Sequence, residues 1–229
     1  VLTAAHCVYD DVNKKFASYA MFIPNQAATS GTNSDLNCDN DPLGCWVMDY
    51  GVVDVDWTSR TFPDNIPYDY GFYVVNDSTT ENILDQTTAD LPLVFTQPGT
   101  DSIPESYTHA LGYSGSDDPN FMYCAESLTK KTSSSGRGRN RTIIENWWLS
   151  QCGLSGGSSG GPWVQPMNES SGSGPIVSVN SWKYSNDPLG MAGPRLDNSS
   201  AGCLFATITN DNFAPVLDDP NGHVENGCN

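Results

Sequence analysis

Gly156-Gly157-Ser158-Ser159-Gly160-Gly161-Pro162-Trp163 sets two serines between glycine pairs and runs straight into an apolar start at Val164. Consecutive glycines permit positive φ and close approach of the backbone. A serine framed this way can stand exposed on a tight turn. The N–H groups around it can converge on one point, as binding an oxyanion demands. A flexible Gly/Ser linker has the same composition, but it does not account for the apolar strand that begins at once.

Two other stretches supply the chemistry a serine lacks. In Thr3-Ala4-Ala5-His6-Cys7, small residues place a histidine just after a strand, with a cysteine able to tether the turn. In Tyr68-Asp69-Tyr70-Gly71, an aspartate stands at the entrance of the apolar run Phe72 to Val75. Taken singly, such a histidine is more often structural and such an aspartate more often a turn residue. Together with Ser159 they form a hydroxyl, an imidazole and a carboxylate, the set that nucleophilic catalysis requires.

The chain around them reads as all-β. Short runs rich in Val, Ile, Tyr, Phe and Trp cover Cys45 to Val53, Tyr70 to Val75, Leu91 to Phe95, Thr142 to Leu149, Ile176 to Trp182 and Leu204 to Thr209. Clusters of Gly, Asn, Asp, Pro and Ser separate them as turns. Many short strands so punctuated predict a sandwich or barrel. A short terminal helix is expected from Asn210 through Phe213 to Leu217, capped by Asn210 or Asp211. Thr96 to Pro104 reads as a linker between halves of 1–95 and 96–229, the first holding His6 and Asp69 and the second Ser159. Clefts form where such units pack.

Composition narrows the function classes. With 229 residues, 38% of them hydrophobic, the chain can bury a real core. No run approaches the roughly 18 apolar residues of a membrane span. The net charge of −17 repels nucleic-acid backbones. Lys130, Lys131, Arg137, Arg139 and Arg141 are gathered in the Ser/Gly-rich TKKTSSSGRGRNRT, which reads as an exposed loop. Seven cysteines, Cys7, Cys38, Cys45, Cys124, Cys152, Cys203 and Cys228, show no CxxC spacing, so no metal site is expected. Scattered cysteines, with sequons at Asn76, Asn140, Asn168 and Asn198, point to disulfides and a secreted protein. The odd count and the abrupt start at Val1-Leu2-Thr3 are expected of an N-terminally truncated fragment whose missing part carries the partner of Cys7.

TAAHC resembles the histidine motif of trypsin-like, chymotrypsin-fold serine peptidases, and GGSSGGP resembles their GDSGGP nucleophile motif. YDYGFYVV is similar to the segment in which their aspartate opens a strand, and the order His, Asp, Ser is that of the chymotrypsin arrangement. The resemblance implies two packed antiparallel six-stranded β-barrels, the first incomplete here, with a short C-terminal helix. It implies a serine endopeptidase acting through a His6–Asp69–Ser159 triad and an acyl-enzyme intermediate, with Gly157 and Ser159 as oxyanion donors. IVSVNSW resembles the strand whose Ser-Trp pair holds the substrate backbone, which places Asn180, Ser181 and Trp182 at the substrate cleft. Arg195 could line a pocket that favours acidic residues. No cofactor or metal is implied, and the partners are protein or peptide substrates of a monomer.

Other details bear on the branch. Tyr123-Cys124 and Cys152 look like the second-barrel disulfide of bacterial and fungal trypsin-like or glutamyl-endopeptidase-like members. Pairings of Cys38 with Cys45 and Cys203 with Cys228 complete the expected set, although six cysteines allow many connectivities. In the family the cysteine at the place of Cys7 pairs with a cysteine on an earlier strand. Ser158 stands where animal trypsins carry an aspartate that receives a new N-terminus, so that activation switch is not expected. Two other readings compete. Gly157 to Gly161 fits the GxSxG elbow of α/β-hydrolases, an esterase with Ser159 and His223, but that elbow must open a helix. A catalytically inactive, protease-like binding module would keep the fold and dispense with the triad.

Overall fold

The computed structural model describes residues 1–30, 37–76, 83–99, 106–116, 120–136, 141–210 and 212–228. The first half contains β1 (Leu2–Thr3), α1 (Ala5–Val8), β2 (Tyr9–Asp10), β3 (Lys15–Phe16), β4 (Met21–Phe22), β5 (Trp46–Asp54), α2 (Val55–Ser59), β6 (Gly71–Val75) and α3 (Leu84–Thr87). The second contains β7 (Tyr107–Tyr113), β8 (Phe121–Ser127), β9 (Thr129–Ser135), β10 (Thr142–Leu149), β11 (Pro162–Val164), β12 (Ile176–Val179), β13 (Trp182–Tyr184) and β14 (Asp187–Gly193). The chain closes with α4 (Ala201–Ile208) and β15 (Gly222–Glu225).

The architecture is mostly β, as the turn-punctuated apolar runs predict. One five-stranded sheet runs β1-β6-β5-β15, with β4 also on β5. Two four-stranded sheets, β13-β14-β10-β9 and β12-β11-β7-β8, enclose the second core. That core holds Trp147, Leu149, Leu154, Trp163, Val177 and Met191. Among the named strands pairing is antiparallel except for β15, which lies parallel to β5. Val52, Tyr70 and Phe72 of the first half pack on Leu196, Ala201 and Leu204, so the end of the chain returns to the first sheet.

Several local expectations need correction. Leu204 to Thr209 is helical rather than extended. Ala201, Leu204, Phe205 and Ile208 recur with the spacing of one helix face and all pack in the same cluster. The helix therefore precedes Asn210, and Asn210 instead accepts the N–H of Phe213 and Asn212 in a turn. The proposed cap Asp211 lies outside the described residues. Leu91 to Phe95 forms no strand; it makes a single bridge from Leu93 to Ile176. Pro92 has no N–H to extend a ladder there.

Lys130 and Lys131 lie in β9, not in a loop. Lys131 Nζ stands 3.6 Å over the Trp148 ring and bonds Asp187 at 2.8 Å. An aromatic face and a carboxylate thus hold a charge that composition assigns to solvent. Arg137, Arg139 and Asn140, like Thr100 to Pro104, lie outside the described residues. Disulfides join Cys38 to Cys45, Cys124 to Cys152 and Cys203 to Cys228, and Cys7 is a free thiol.

Candidate active site

The register of two strands brings His6 and Asp69 together. Thr3 pairs with Gly71, so the residues just after β1 face those just before β6. Ala4 and Ala5 are fully buried, which explains why only small side chains lead into α1. Asp69 follows a 3-10 turn over Ile66–Tyr68 and is itself buried. Its Oδ1 accepts the His6 backbone N–H at 2.9 Å, and its Oδ2 lies 2.8 Å from His6 Nδ1. A carboxylate at Nδ1 selects the tautomer protonated there and leaves Nε2 to take a proton. The His6 side chain is 36% exposed and that of Asp69 only 4%.

Ser181 completes this arrangement in a way its sequence context does not reveal. Its hydroxyl donates to Asp69 Oδ2 at 2.5 Å, and its N–H bonds the Ala192 carbonyl. The buried carboxylate therefore receives three donors from two distant parts of the chain, as a buried charge requires. No short motif links Ser181 to Asp69, because their meeting depends on how the two halves pack.

The glycine turn is built without slack. Ser158 is buried, and its hydroxyl donates to the Ser155 carbonyl at 2.7 Å. Gly157 has φ +99°, and a Cβ there would meet Gly115 N at 2.7 Å. Gly160 has φ +81°, and its Cβ would lie 3.0 Å from Ala4 N and closer still to Thr3 Oγ1. The segment carrying Ser159 is thus packed directly against the residues that lead to His6. The N–H groups of Ser158, Gly160 and Gly161 donate to the carbonyls of Ser155, Asn180 and Ser158. Among the described residues, none accepts from the N–H of Gly157 or Ser159. Ser159 is half-buried and borders a cleft of about 320 Å³ with Leu111, Gly112, Tyr113 and Phe121. Its hydroxyl makes no hydrogen bond to His6 or to any other described residue. A larger apolar groove of about 750 Å³, between Phe72, Leu93, Ile176 and Phe205, contains none of the three residues.

Asn180 and Trp182, the other residues expected at the substrate cleft, differ in placement. Trp182 is half-buried, with its ring edge-on to Phe62 at 6.4 Å. Asn180 is fully buried, and all its side-chain groups bond within the protein, leaving none for a substrate. Arg195 pairs with Glu145 at 2.7 Å and lies over the Trp147 ring. The glycine turn leads into strand β11 rather than a helix, so the α/β-hydrolase elbow is missing. His223 sits on β15 between Asp218 and Glu225. Among the described residues, no group of His, Cys, Asp and Glu could hold a metal ion, and no helix is long and apolar enough to cross a membrane.

Electrostatics at the site centre on His6. Burial pulls its pKa down, but the hydrogen bond and charge of Asp69, with a further contribution from Cys7, raise it by more, to about 10.

No family model matches the chain, and no curated protein matches it. Among solved structures, it is similar to the thermostable serine protease AL20 from an extremophilic microorganism. The two are 25% identical with a TM-score of 0.65, over 91% of this chain and 84% of the other. It is also similar to the protease Anisep from Arthrobacter nicotinovorans, at 22% identity and a TM-score of 0.64, over 90% and 82% of the two chains. The mostly antiparallel sheets, the few helices and these two likenesses lead to one statement: the chain has the chymotrypsin-like two-barrel fold of serine proteases.

Proposed function

We propose that this protein is a serine endopeptidase, secreted and acting on protein or peptide substrates, with His6, Asp69 and Ser159 as its catalytic residues. The observation that carries the reading is the pair of unengaged N–H groups at Gly157 and Ser159, on a turn packed against the His6 segment. Donors left free on a rigid turn are what a developing oxyanion needs.

Ser159 Oγ attacks the scissile carbonyl while His6 Nε2 takes its proton, because a neutral hydroxyl is a weak nucleophile at ordinary pH. Asp69 holds the imidazole by Nδ1 and stabilises it once protonated. The oxygen of the tetrahedral intermediate is held by the N–H groups of Gly157 and Ser159. His6 then returns its proton to the leaving amine, giving an acyl-enzyme on Ser159, and water releases it by the same steps. Trp182, the neighbour of Ser181 in sequence, pairs edge-on with Phe62 and supplies an aromatic surface next to the residue that holds Asp69. The fold is shared by inactive relatives in principle, but an intact carboxylate–imidazole pair and free donors favour the enzyme reading.

Turnover of a mixed peptide library by the wild type and by Ser159→Ala tests the reading. The variant should fold with an unchanged melting profile and lose at least about a thousandfold in rate. Comparable cleavage by the two proteins rejects the assignment.

A further inference from the structure

Asn180 joins β12 to β13 and is fully buried. Its Oδ1 accepts from Trp163 Nε1 at 2.8 Å. Its Nδ2 donates to the Leu111 carbonyl at 2.8 Å and the Ser158 carbonyl at 2.9 Å. Its backbone holds the same turn from the other side: Gly160 N–H donates to its carbonyl, and its own N–H donates to Gly161, both at 2.8 Å. One residue thus fastens β7, β11 and the glycine turn together.

The bond to Ser158 has a specific consequence. The Ser158–Ser159 peptide is not among the cis bonds of the chain, so it is trans and planar. In such a unit the carbonyl and the N–H point in opposite directions within one plane. Fixing the Ser158 carbonyl therefore fixes the direction of the Ser159 N–H, which has no partner among the described residues. The carbonyl accepts twice, from Asn180 Nδ2 and from Gly161 N–H at 3.0 Å. Donors on a carbonyl polarise the rest of its peptide and strengthen the N–H beyond it.

Room for the carboxamide comes from two glycines. A Cβ on Gly161 would lie 2.8 Å from Asn180 Nδ2 and collide with the Leu111 carbonyl. A Cβ on Gly112 would lie 3.0 Å from Ser158 Cβ and 3.2 Å from the same Nδ2.

We infer that Asn180 is a positioning residue whose carboxamide, through the Ser158–Ser159 peptide, aims and polarises the Ser159 N–H as an oxyanion donor. This rests on the peptidase reading above. Asn180 touches no substrate, so its effect falls on the transition state rather than on ground-state binding.

Asn180→Asp is the sharper test. It preserves size and the acceptor for Trp163, but turns carboxylate oxygen toward the two carbonyls. Asn180→Ala removes all three bonds, and if it fails to fold the Asp variant carries the test alone. In folded Asn180→Asp, kcat should fall by about ten- to a hundredfold, less than the loss of a whole donor, with little change in KM. Affinity for a peptide boronic acid, which forms a tetrahedral adduct, should fall by the same factor. Hydrogen exchange at the Gly160 and Gly161 amides should quicken. A folded Asp variant that keeps both kcat and boronic-acid affinity within about twofold of wild type overturns the inference. If wild-type protein shows neither turnover nor a boronic-acid adduct, the peptidase reading itself fails. The exchange measurement then still judges the clamp, because unchanged amide exchange in the variant would refute it.

Discussion

Asp69 gathers the His6 amide, the His6 ring and the Ser181 hydroxyl onto one buried carboxylate, and this fixes the charge state of the imidazole. Burial works against the protonated ring, and the hydrogen bond and charge of Asp69, with a further contribution from Cys7, outweigh it, raising the pKa from 6.5 to about 10. The proton is therefore bound more tightly in the folded chain than in the unfolded one. The stability it adds is fully present below pH 6.5 and is lost as pH rises through about 10. A general base must be neutral to act, so the acid limb of kcat/KM should lie above the ordinary histidine range. Part of the upward push comes from Cys7. Cys7→Ala should move that limb to lower pH in a pH–rate profile, whereas an unmoved limb would show that Asp69 alone sets it. His6 and Asp69 were legible from their local motifs as an imidazole and a carboxylate, and the structure brings the two into contact. The role of Ser181 was not legible, because its bond to Asp69 spans 112 residues and is written only in the packing.

Among the elements, the glycine turn carries the most constraint. Gly160 meets Thr3 and Ala4 at a positive φ, which makes it a close packing contact to the His6 segment as well as part of the glycine turn. Gly160→Ala forces a methyl group into backbone and should cost about 1–3 kcal/mol of stability. It should also lower peptidase activity in the molecules that remain folded. Thermal melting and turnover on one sample check both, and a variant as stable and active as wild type would show that this contact is slack. The turn was legible because glycine and serine have few other reasons to cluster before an apolar strand. β10 was legible from its β-branched and aromatic residues. β9 was hidden, because Thr, Lys and Ser make up a strand only when Trp148 and Asp187 receive its lysine. α4 was misread for the opposite reason: its apolar residues satisfy a strand composition, and only their spacing marks a helix face.

At the scale of the whole molecule, chain ends and disulfides tie the architecture together. β15 and the Cys203–Cys228 link return the last residues to the first sheet, a closure no local sequence pattern announces. The net charge of −17 surrounds a site whose own carboxylate is shielded from solvent, so it bears on solubility and on encounter with cationic substrates rather than on the chemistry. What the fold accomplishes is convergence. His6 and Ser181, from distant parts of the chain, meet on the Asp69 carboxylate, and the glycine turn that carries Ser159 packs on Thr3 and Ala4 beside them. Labelling with a phosphonofluoridate, followed by peptide mapping, tests that convergence most directly. A single adduct is expected on Ser159, lost in Ser159→Ala and in His6→Ala alike. No adduct on folded protein, an adduct on another residue, or undiminished labelling of Ser159 in His6→Ala would contradict it.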